Sequence, residues 1–507
     1  MTRRAACDTL HRMELFENEA LETWLADNGD ILWTYIMLPV IIAVGLYFSV
    51  RTGLVQLRMV PAMLKSLTDK ALVDEQGHKK SISAFQAFTV SAASRVGVGN
   101  VAGVATAIAV GGPGAIFWMW AMAFIGGASS FIESTLGQLY KVRTKDGYRG
   151  GPAYYMQRGL KARWMGIIFA VILVICFPFA FSSLQANTIA QSVAGALGQD
   201  GANASTAIVV GVALAVLTAL VVFGGIRRIA LVTESLVPSM AVLYVLLGLV
   251  IVALNISEFP RVFALIFSEA FNFQSAIGGG IGTVILTGIK RGMFSNEAGL
   301  GSSPNAGATA SVTHPVKQGL VQTLGVYFDT FIICTVTAFI ILVSVPDPVG
   351  ESRGIALTQT AITSSLGNWA SILLAVIIFL LAFSSIIGNY YYGESNVGFI
   401  TDNPTAMGVY RSLATAAVFV GSLATVNAIW NFADSIMGLM ALVNLIAIAL
   451  LAKPAILLLK HYMEQYKRGE DPVFVASDLP QLKGIECWER EDVTTHAQPM
   501  VAKRKRP

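Results

Sequence analysis

Apolar residues run along most of this chain in blocks of roughly twenty or more, and polar residues gather in short segments between them. A hydrocarbon layer of roughly 30 Å needs about 20 apolar residues per crossing helix, so each block is long enough to span a membrane. The blocks fall at 31–50, 83–110, 113–138, 164–197, 205–223, 231–254, 276–310, 316–345, 369–394, 407–426 and 428–452. They predict an all-α integral membrane protein of about eleven transmembrane helices. The polar stretch 1–30 holds seven Asp or Glu against three Arg, and the first block lacks a small-residue cleavage site and is followed by Arg51 and Arg58. That pattern predicts a retained leading helix over 31–50 and no signal peptide.

The placement of basic residues orients the helices, because Lys and Arg accumulate in cytoplasmic loops. Assigning alternate loops to opposite sides puts 27 of the 35 on one side, in 51–82, 139–163, 224–230, around Lys317 and Arg411, and in the tail from Lys453. The other side has Arg3, Arg4, Arg12, Arg261 and Arg353, and only Arg95, Lys290 and Arg291 lie deep inside apolar blocks, Lys317 and Arg411 being at block ends. The N-terminus is therefore expected outside and the C-terminus in the cytoplasm.

Composition narrows the function. Of 507 residues 54% are hydrophobic and 13% charged, against about 25% charged in an ordinary soluble domain, which excludes a soluble enzyme or a nucleic-acid binder. The net charge of +4 sits in the loops and in the terminal Lys503–Arg506 run, where anionic lipid headgroups are its simplest partner. Cys7, Cys176, Cys334 and Cys487 lie far apart with no CxxC pair, so no metal ribbon or disulfide scaffold is expected. His11, His78, His314, His461 and His496 all fall outside the blocks. Ser295 beside Asn296 and Glu297 is the nearest approach to a catalytic constellation, and no histidine within a span is there to serve as its base.

Beyond the leading helix, ten blocks divide into halves at 83–254 and 276–452, of 172 and 177 residues. Five helices is an odd number, so the second half starts from the opposite side of the membrane and any repeat is inverted. The segment 453–507 follows as a cytoplasmic tail. Each half opens with an interrupted helix: Ser94-Arg95-Val96-Gly97-Val98-Gly99-Asn100 in the first, and Gly288 to Ser302, with Lys290, Arg291 and Glu297, in the second. Backbone of this kind is tolerated at membrane depth only against protein or a water-filled cavity. Paired broken helices at matching positions point to a transporter site.

Such a break turns N–H groups outward at one half-helix and carbonyls at the other, which suit a carboxylate and a cation or ammonium group respectively. Val96 to Asn100 offers both to an amino-acid zwitterion. Opposite it, the 369–394 block carries Ser384, Ser385 and Asn389, whose oxygens can also face an ion, and Gln185 and Asn187 are polar groups in the 164–197 block. For Glu133, Asp329 and Asp434, pairing with Arg95, Lys290 or Arg291 is expected, since an unpaired buried charge is costly.

Several blocks together resemble the alanine or glycine:cation symporter family, the sodium:alanine symporters. They are Gly111-Gly112-Pro113-Gly114-Ala115-Ile116-Phe117-Trp118-Met119-Trp120, Val96-Gly97-Val98-Gly99-Asn100-Val101-Ala102-Gly103, Gly150-Gly151-Pro152-Ala153-Tyr154-Tyr155-Met156 and Phe294-Ser295-Asn296-Glu297-Ala298-Gly299-Leu300-Gly301-Ser302. The resemblance implies a LeuT-type 5+5 inverted repeat in the bacterial inner membrane and Na⁺-driven uptake of a small neutral amino acid, alanine or glycine first. By the same analogy substrate touches Gly97, Val98, Gly99, Asn100, Gln185, Phe294 and Asn389, and Na⁺ is held near the Ala93 and Val96 carbonyls by Ser384 and Ser385. The chain departs from the family at Val98, where the motif usually has threonine, and at Asn389, where some members carry tryptophan. The wider, more polar pocket this implies makes serine or glutamine the larger candidates, and coupling to H⁺ through a carboxylate remains an alternative.

Overall fold

A computed structural model describes residues 24, 27–73, 78–145, 147–199, 201–271, 280–350, 354–424 and 426–493. The acidic stretch 1–23, Arg353, the start of the 276–310 block and the Lys503–Arg506 run lie outside them. The long helices in chain order are α1 (Leu38–Arg51), α2 (Ala84–Arg95), α3 (Val104–Gly111), α4 (Ala115–Leu139), α5 (Arg163–Val174), α6 (Ser182–Ala196), α7 (Ala204–Val222) and α8 (Gly225–Leu254). They continue as α9 (Gly280–Asn296), α10 (Pro315–Tyr327), α11 (Thr335–Ser344), α12 (Ala370–Ile400), α13 (Pro404–Leu423), α14 (Val426–Leu450) and α15 (Ala452–Lys467).

Among the described residues nine helices are long and apolar enough to cross a membrane, and ten if the bent pair Ala84–Arg95 and Gly99–Gly111 is one span. Within the 276–310 block, interrupted as the sequence suggests, α9 is described from Gly280 and stops at Asn296, because the chain beyond it turns through positive φ. Two sequence boundaries also move. The expected loop 224–230 is the first turns of α8, and the 369–394 block extends to Ile400 because its polar end is buried in protein.

Local chemistry sets these elements. Ser83 caps α2 in a reciprocal pair with Gln86, each bond 3.1 Å, so two of the helix's free N-terminal donors are satisfied. Between α5 and α6, Pro178 removes a donor and crowds the preceding turn, and Ile175–Phe181 widens into a π-helix. α4 packs on α9 and α10, α6 on α12 and α13, and α2 on α8 and α12. At the α4–α10 contact a Cβ on Gly319 would lie 2.9 Å from the Phe131 carbonyl, the close backbone approach that small residues permit in membranes. Val209, Leu220, Val242 and Leu249 point outward, as lipid-facing side chains do.

One end of the bundle carries a two-stranded hairpin, β1 (Val142–Thr144) and β2 (Gly147–Arg149), with Val142 opposite Arg149. The tail folds across this end. Phe474 N–H donates to the Thr313 carbonyl at 2.9 Å, Trp488 Nε1 to the Gln138 carbonyl at 3.2 Å, and Arg143 to both Asp492 oxygens at 2.7 and 2.8 Å. Buried Lys317 sits between Asp69 at 2.8 Å and Asp471 at 2.9 Å. As far as Val493, then, the tail packs on protein. Lys141 lies over the Tyr148 and Trp488 rings at 4.1 and 4.3 Å, and burial pushes its ammonium down to about 8 against the pull of Cys487 and Asp492.

Candidate functional site

The first break follows from two amides that leave the helix ladder. In an unbroken helix the N–H groups of Gly97 and Val98 would donate to the carbonyls of Ala93 and Ser94. Here Gly97 N–H donates to Asn100 Oδ1 at 2.9 Å and Val98 N–H to Gln185 Oε1 at 3.0 Å. Val96 takes φ −82°, ψ 86°, and the chain resumes in a π-helix, Gly99–Gly103, bent 51° from α2. The carbonyls released on the other side meet α12: Ser385 Oγ lies 2.8 Å from the Ala93 oxygen, 3.5 Å from that of Val96 and 3.1 Å from its own Leu381 carbonyl. A Cβ at position 97 would strike Ser385 Oγ and stand 3.0 Å from the Gln185 amide, so any larger residue there displaces both side chains.

The second break begins where α9 ends. Glu297 has φ +56°, and Gly299 and Gly301 have φ +83° and +80°, so the backbone reverses and leaves amides exposed. Glu133 of α4 collects them: its carboxylate accepts Gly299 N–H at 3.2 Å, Gly301 N–H at 3.0 Å and Asn444 Nδ2 at 2.7 Å. The two breaks face each other. Phe294, at the end of α9, would lie 2.8 Å from a Cβ on Gly99 and stacks on Phe181 at 4.7 Å and Trp430 at 5.1 Å. Ser94 Oγ reaches Glu297 Oε1 at 2.6 Å and Asn389 Oδ1 at 2.7 Å. Among the described residues no group of three or more His, Cys, Asp or Glu gathers as a metal cluster; around Ala93, Val96 and Ser385 the oxygens are carbonyls and a hydroxyl.

A sequence model of the sodium:alanine symporter family matches residues 18–476. The chain belongs to the sodium:alanine symporter family. It is 51% identical over 479 residues to the amino-acid carrier protein AlsT of Bacillus subtilis, covering 94% of this chain and 99% of that one. It is 46% identical over 477 residues to the probable sodium/glutamine symporter GlnT of the same organism, covering 94% and 98%. Its fold is similar to that of MhsT, solved in complex with L-phenylalanine, with a TM-score of 0.55 at 16% identity over 76% of this chain and 99% of that one. The fold is thus LeuT-like and the chain is a multi-pass membrane transporter, not an enzyme, with Na⁺ as the co-transported ion.

In this symporter the residues singled out from sequence divide by what they touch. Ala93, Val96 and Ser385 converge; Ser384, one residue away, does not join them, its hydroxyl lying on the Leu381 carbonyl at 2.8 Å and Met240 Sδ at 3.3 Å. Gly97, Val98, Gly99, Gln185 and Phe294 line the break itself. Asn100 is committed to shaping it, since its oxygen holds Gly97 and its Nδ2 donates to Asp329 Oδ1 at 2.5 Å. Asn389 contacts Ser94, and its Nδ2 is buried with no partner among the described residues. Asn187 turns away to the Ala424 carbonyl at 2.7 Å.

The expected charge pairing holds for one carboxylate of three. Asp434 bonds Arg291 at 2.5 and 3.1 Å and Lys290 at 3.0 Å. Glu133 and Asp329 instead accept from neutral donors, Asp329 also taking the Ser295 hydroxyl at 2.8 Å, because unwinding supplies N–H and amide groups that need acceptors. Arg95 donates to the Gln322 carbonyl at 3.0 Å. Sequence reasoning missed Ser94 and the bracing role of Glu133; the one signal available was a polar residue placed beside each glycine-rich break.

Proposed function

We propose that this symporter carries a small neutral amino acid, alanine or glycine first, into the cytoplasm together with Na⁺ by alternating access. The proposed architecture is the leading helix 31–50 followed by inverted five-helix repeats 83–254 and 276–452, with the N-terminus outside and the 453–507 tail inside. The reading is carried by the first break: diverting the Gly97 amide frees the Ala93 carbonyl, turning the Asn100 amide to the Gly97 carbonyl frees that of Val96, and Ser385 stands against both. Na⁺ would bind those oxygens, with the Ser385 proton retained on Leu381. The amino acid would lie beside Gly97, Val98, Gly99 and Gln185, under Phe294 and against Asn389, while Asn100 braces the segment. Close contacts of Ser385 and Gln185 on Gly97, and of Phe294 on Gly99, favour a small substrate.

A second reading, a larger neutral amino acid such as serine or glutamine, is favoured by the buried unpartnered amide of Asn389 and by the similarity to GlnT. The test is uptake of labelled alanine into proteoliposomes under an imposed Na⁺ gradient, with unlabelled glycine, serine and glutamine competing. Accumulation that disappears when K⁺ replaces Na⁺ supports the symport. Accumulation of glutamine but not alanine overturns the preferred substrate, and uptake driven by a pH gradient alone overturns the ion site.

A further inference from the structure

Ser94 stands between the two broken helices with one hydrogen to give and two oxygens to receive it. Its Oγ is 2.6 Å from Glu297 Oε1 and 2.7 Å from Asn389 Oδ1, both hydrogen-bond distances. A hydroxyl has a single donor hydrogen, and neither an ionised carboxylate nor an amide oxygen can supply another. Two arrangements satisfy both contacts and spend the Ser94 hydrogen on one of them. In the first, Glu297 is protonated and donates from Oε1 to Ser94, which donates to Asn389 Oδ1. In the second, Glu297 is ionised and accepts from Ser94, and the Asn389 amide is turned so that Nδ2 donates to Ser94. Asn389 Nδ2 is buried without a partner in its present orientation, so turning the amide breaks no hydrogen bond of that nitrogen. The arrangements differ by one proton on Glu297 and a half-turn of Asn389.

Independent features hold Glu297 in this position. Its backbone has φ +56°, a conformation unusual for a residue with a side chain, and Ser302 Oγ donates to its Oε2 at 2.6 Å in either arrangement. The charged and titratable groups facing it are Arg95 from α2, Asp329 from the Phe328–Cys334 turn, Tyr392 from α12 and Cys176 from the Ile175–Phe181 turn. Arg95 favours the anion and Asp329 opposes it.

We propose that the Glu297 carboxyl is a proton-binding site that latches the two broken helices through Ser94, its proton deciding which end of the Asn389 amide faces away from Ser94. This rests on the symport reading, which assigns Asn389 to the substrate. With the proton bound, that free end is the Nδ2 donor; with the proton released, it is the Oδ1 acceptor. Substrate affinity, more than Na⁺ affinity, therefore follows pH, since the hydrogen bonds of Ser385 go to the Ala93, Val96 and Leu381 carbonyls and not to the side chains of Glu297, Ser94 or Asn389.

The test is Na⁺-driven uptake by the reconstituted full chain between pH 5.5 and 8.5, comparing wild type with Glu297→Gln, whose amide donates to Ser94 and accepts from Ser302 as the neutral acid does. The wild-type KM for the amino acid is expected to change several-fold across the range, and E297Q to hold the wild type's low-pH value throughout. A flat wild-type profile, or an E297Q profile with the wild-type shape, overturns the proposal. If E297Q does not fold, Ser94→Ala removes the hydroxyl that links Glu297 to Asn389 and should flatten the pH dependence of the KM; an S94A profile with the wild-type shape overturns it. Absence of Na⁺-driven uptake in the wild type strikes the symport reading instead. The latch is then judged by infrared difference spectra on changing pH, where loss of a protonated-carboxyl band in E297Q together with its displacement in S94A supports it, and a band unchanged in either variant refutes it.

Discussion

Two adjacent serines on α12 provide the sharpest test of the proposed ion site, because they share a chemistry and differ only in direction. Ser385 Oγ lies 2.8 Å from the Ala93 carbonyl and 3.5 Å from that of Val96, while its 3.1 Å contact with Leu381 can take the proton and leave lone pairs for a cation. Ser384 faces Met240 and its own helix. Ser385→Ala removes one oxygen from a charged ligand, worth about 1.5–3 kcal/mol, and at about 1.4 kcal/mol per decade that raises the Na⁺ concentration for half-maximal uptake by roughly tenfold to a hundredfold. Ser384→Ala removes at most a neutral back-bond within the helix, so its shift should stay below about threefold. The assay is initial-rate alanine uptake in proteoliposomes over a Na⁺ series at fixed membrane potential. Because binding linkage is reciprocal, S385A should also weaken alanine binding at low Na⁺ and recover at saturating Na⁺. Equal effects of the two substitutions, or a larger one at Ser384, would refute the site.

Gly99→Ala places a Cβ 2.8 Å from the Phe294 ring, and the overpacking should cost about 1–3 kcal/mol, read as a KM for alanine raised at least fivefold with folding intact; an unchanged KM removes Phe294 from the pocket. Asp434→Asn leaves Arg291 and Lys290 without their shared carboxylate and should destabilise the protein by about 3–5 kcal/mol, seen as a lower melting temperature in detergent that Arg291→Gln in the same chain partly restores. Lys141 titrates near 8 when docked, below its ordinary 10.5, so the folded form binds fewer protons in that window and stability rises with pH between the two values. Lys141→Met, freed of the buried charge, should therefore melt higher than wild type below pH 8, with the difference shrinking as pH approaches 10; a pH-independent difference would contradict the assignment.

The helices were legible because a run of apolar residues has one meaning at this length, and the blocks from 113–138 to 428–452 find helices among the described residues. Their ends were harder to read. Arg227 and Arg228 look like a loop yet begin α8, and the polar run from Asn389 to Asn396 looks like a helix end yet continues α12, because composition does not distinguish a polar face against water from one against protein. At the site, the glycines announced both breaks, but the partners that set them are remote: Gln185 and Glu133 act across the fold, and neither carries a local pattern. The docked tail was invisible for the same reason, since Lys317 is held by Asp69 and Asp471, two carboxylates some four hundred residues apart in sequence.

The economy of the first break lies in using one displacement for two purposes. A helix that kept its ladder would leave no carbonyl free at Ala93, and a cation there would have only Ser385 to meet it. Drawing the Gly97 and Val98 amides onto Asn100 and Gln185 releases oxygens on one side and fixes the segment that the substrate would touch on the other. Under the proposed function, the ion and the amino acid therefore act on the same few peptide units: a cation that pulls the Ala93 and Val96 carbonyls toward α12 holds the break open, and a substrate lying along 97–99 holds it in the same shape. Each ligand then supplies part of the ordering free energy the other requires, which yields positive coupling without any direct contact between them. The carboxylates around this segment add a control of a different kind, because they report to it only through side chains, Asp329 of the Phe328–Cys334 π-helix through Asn100 and Glu297 of the second break through Ser94. Coupling through backbone is fixed by the fold, whereas coupling through a hydroxyl or an amide can change with a proton.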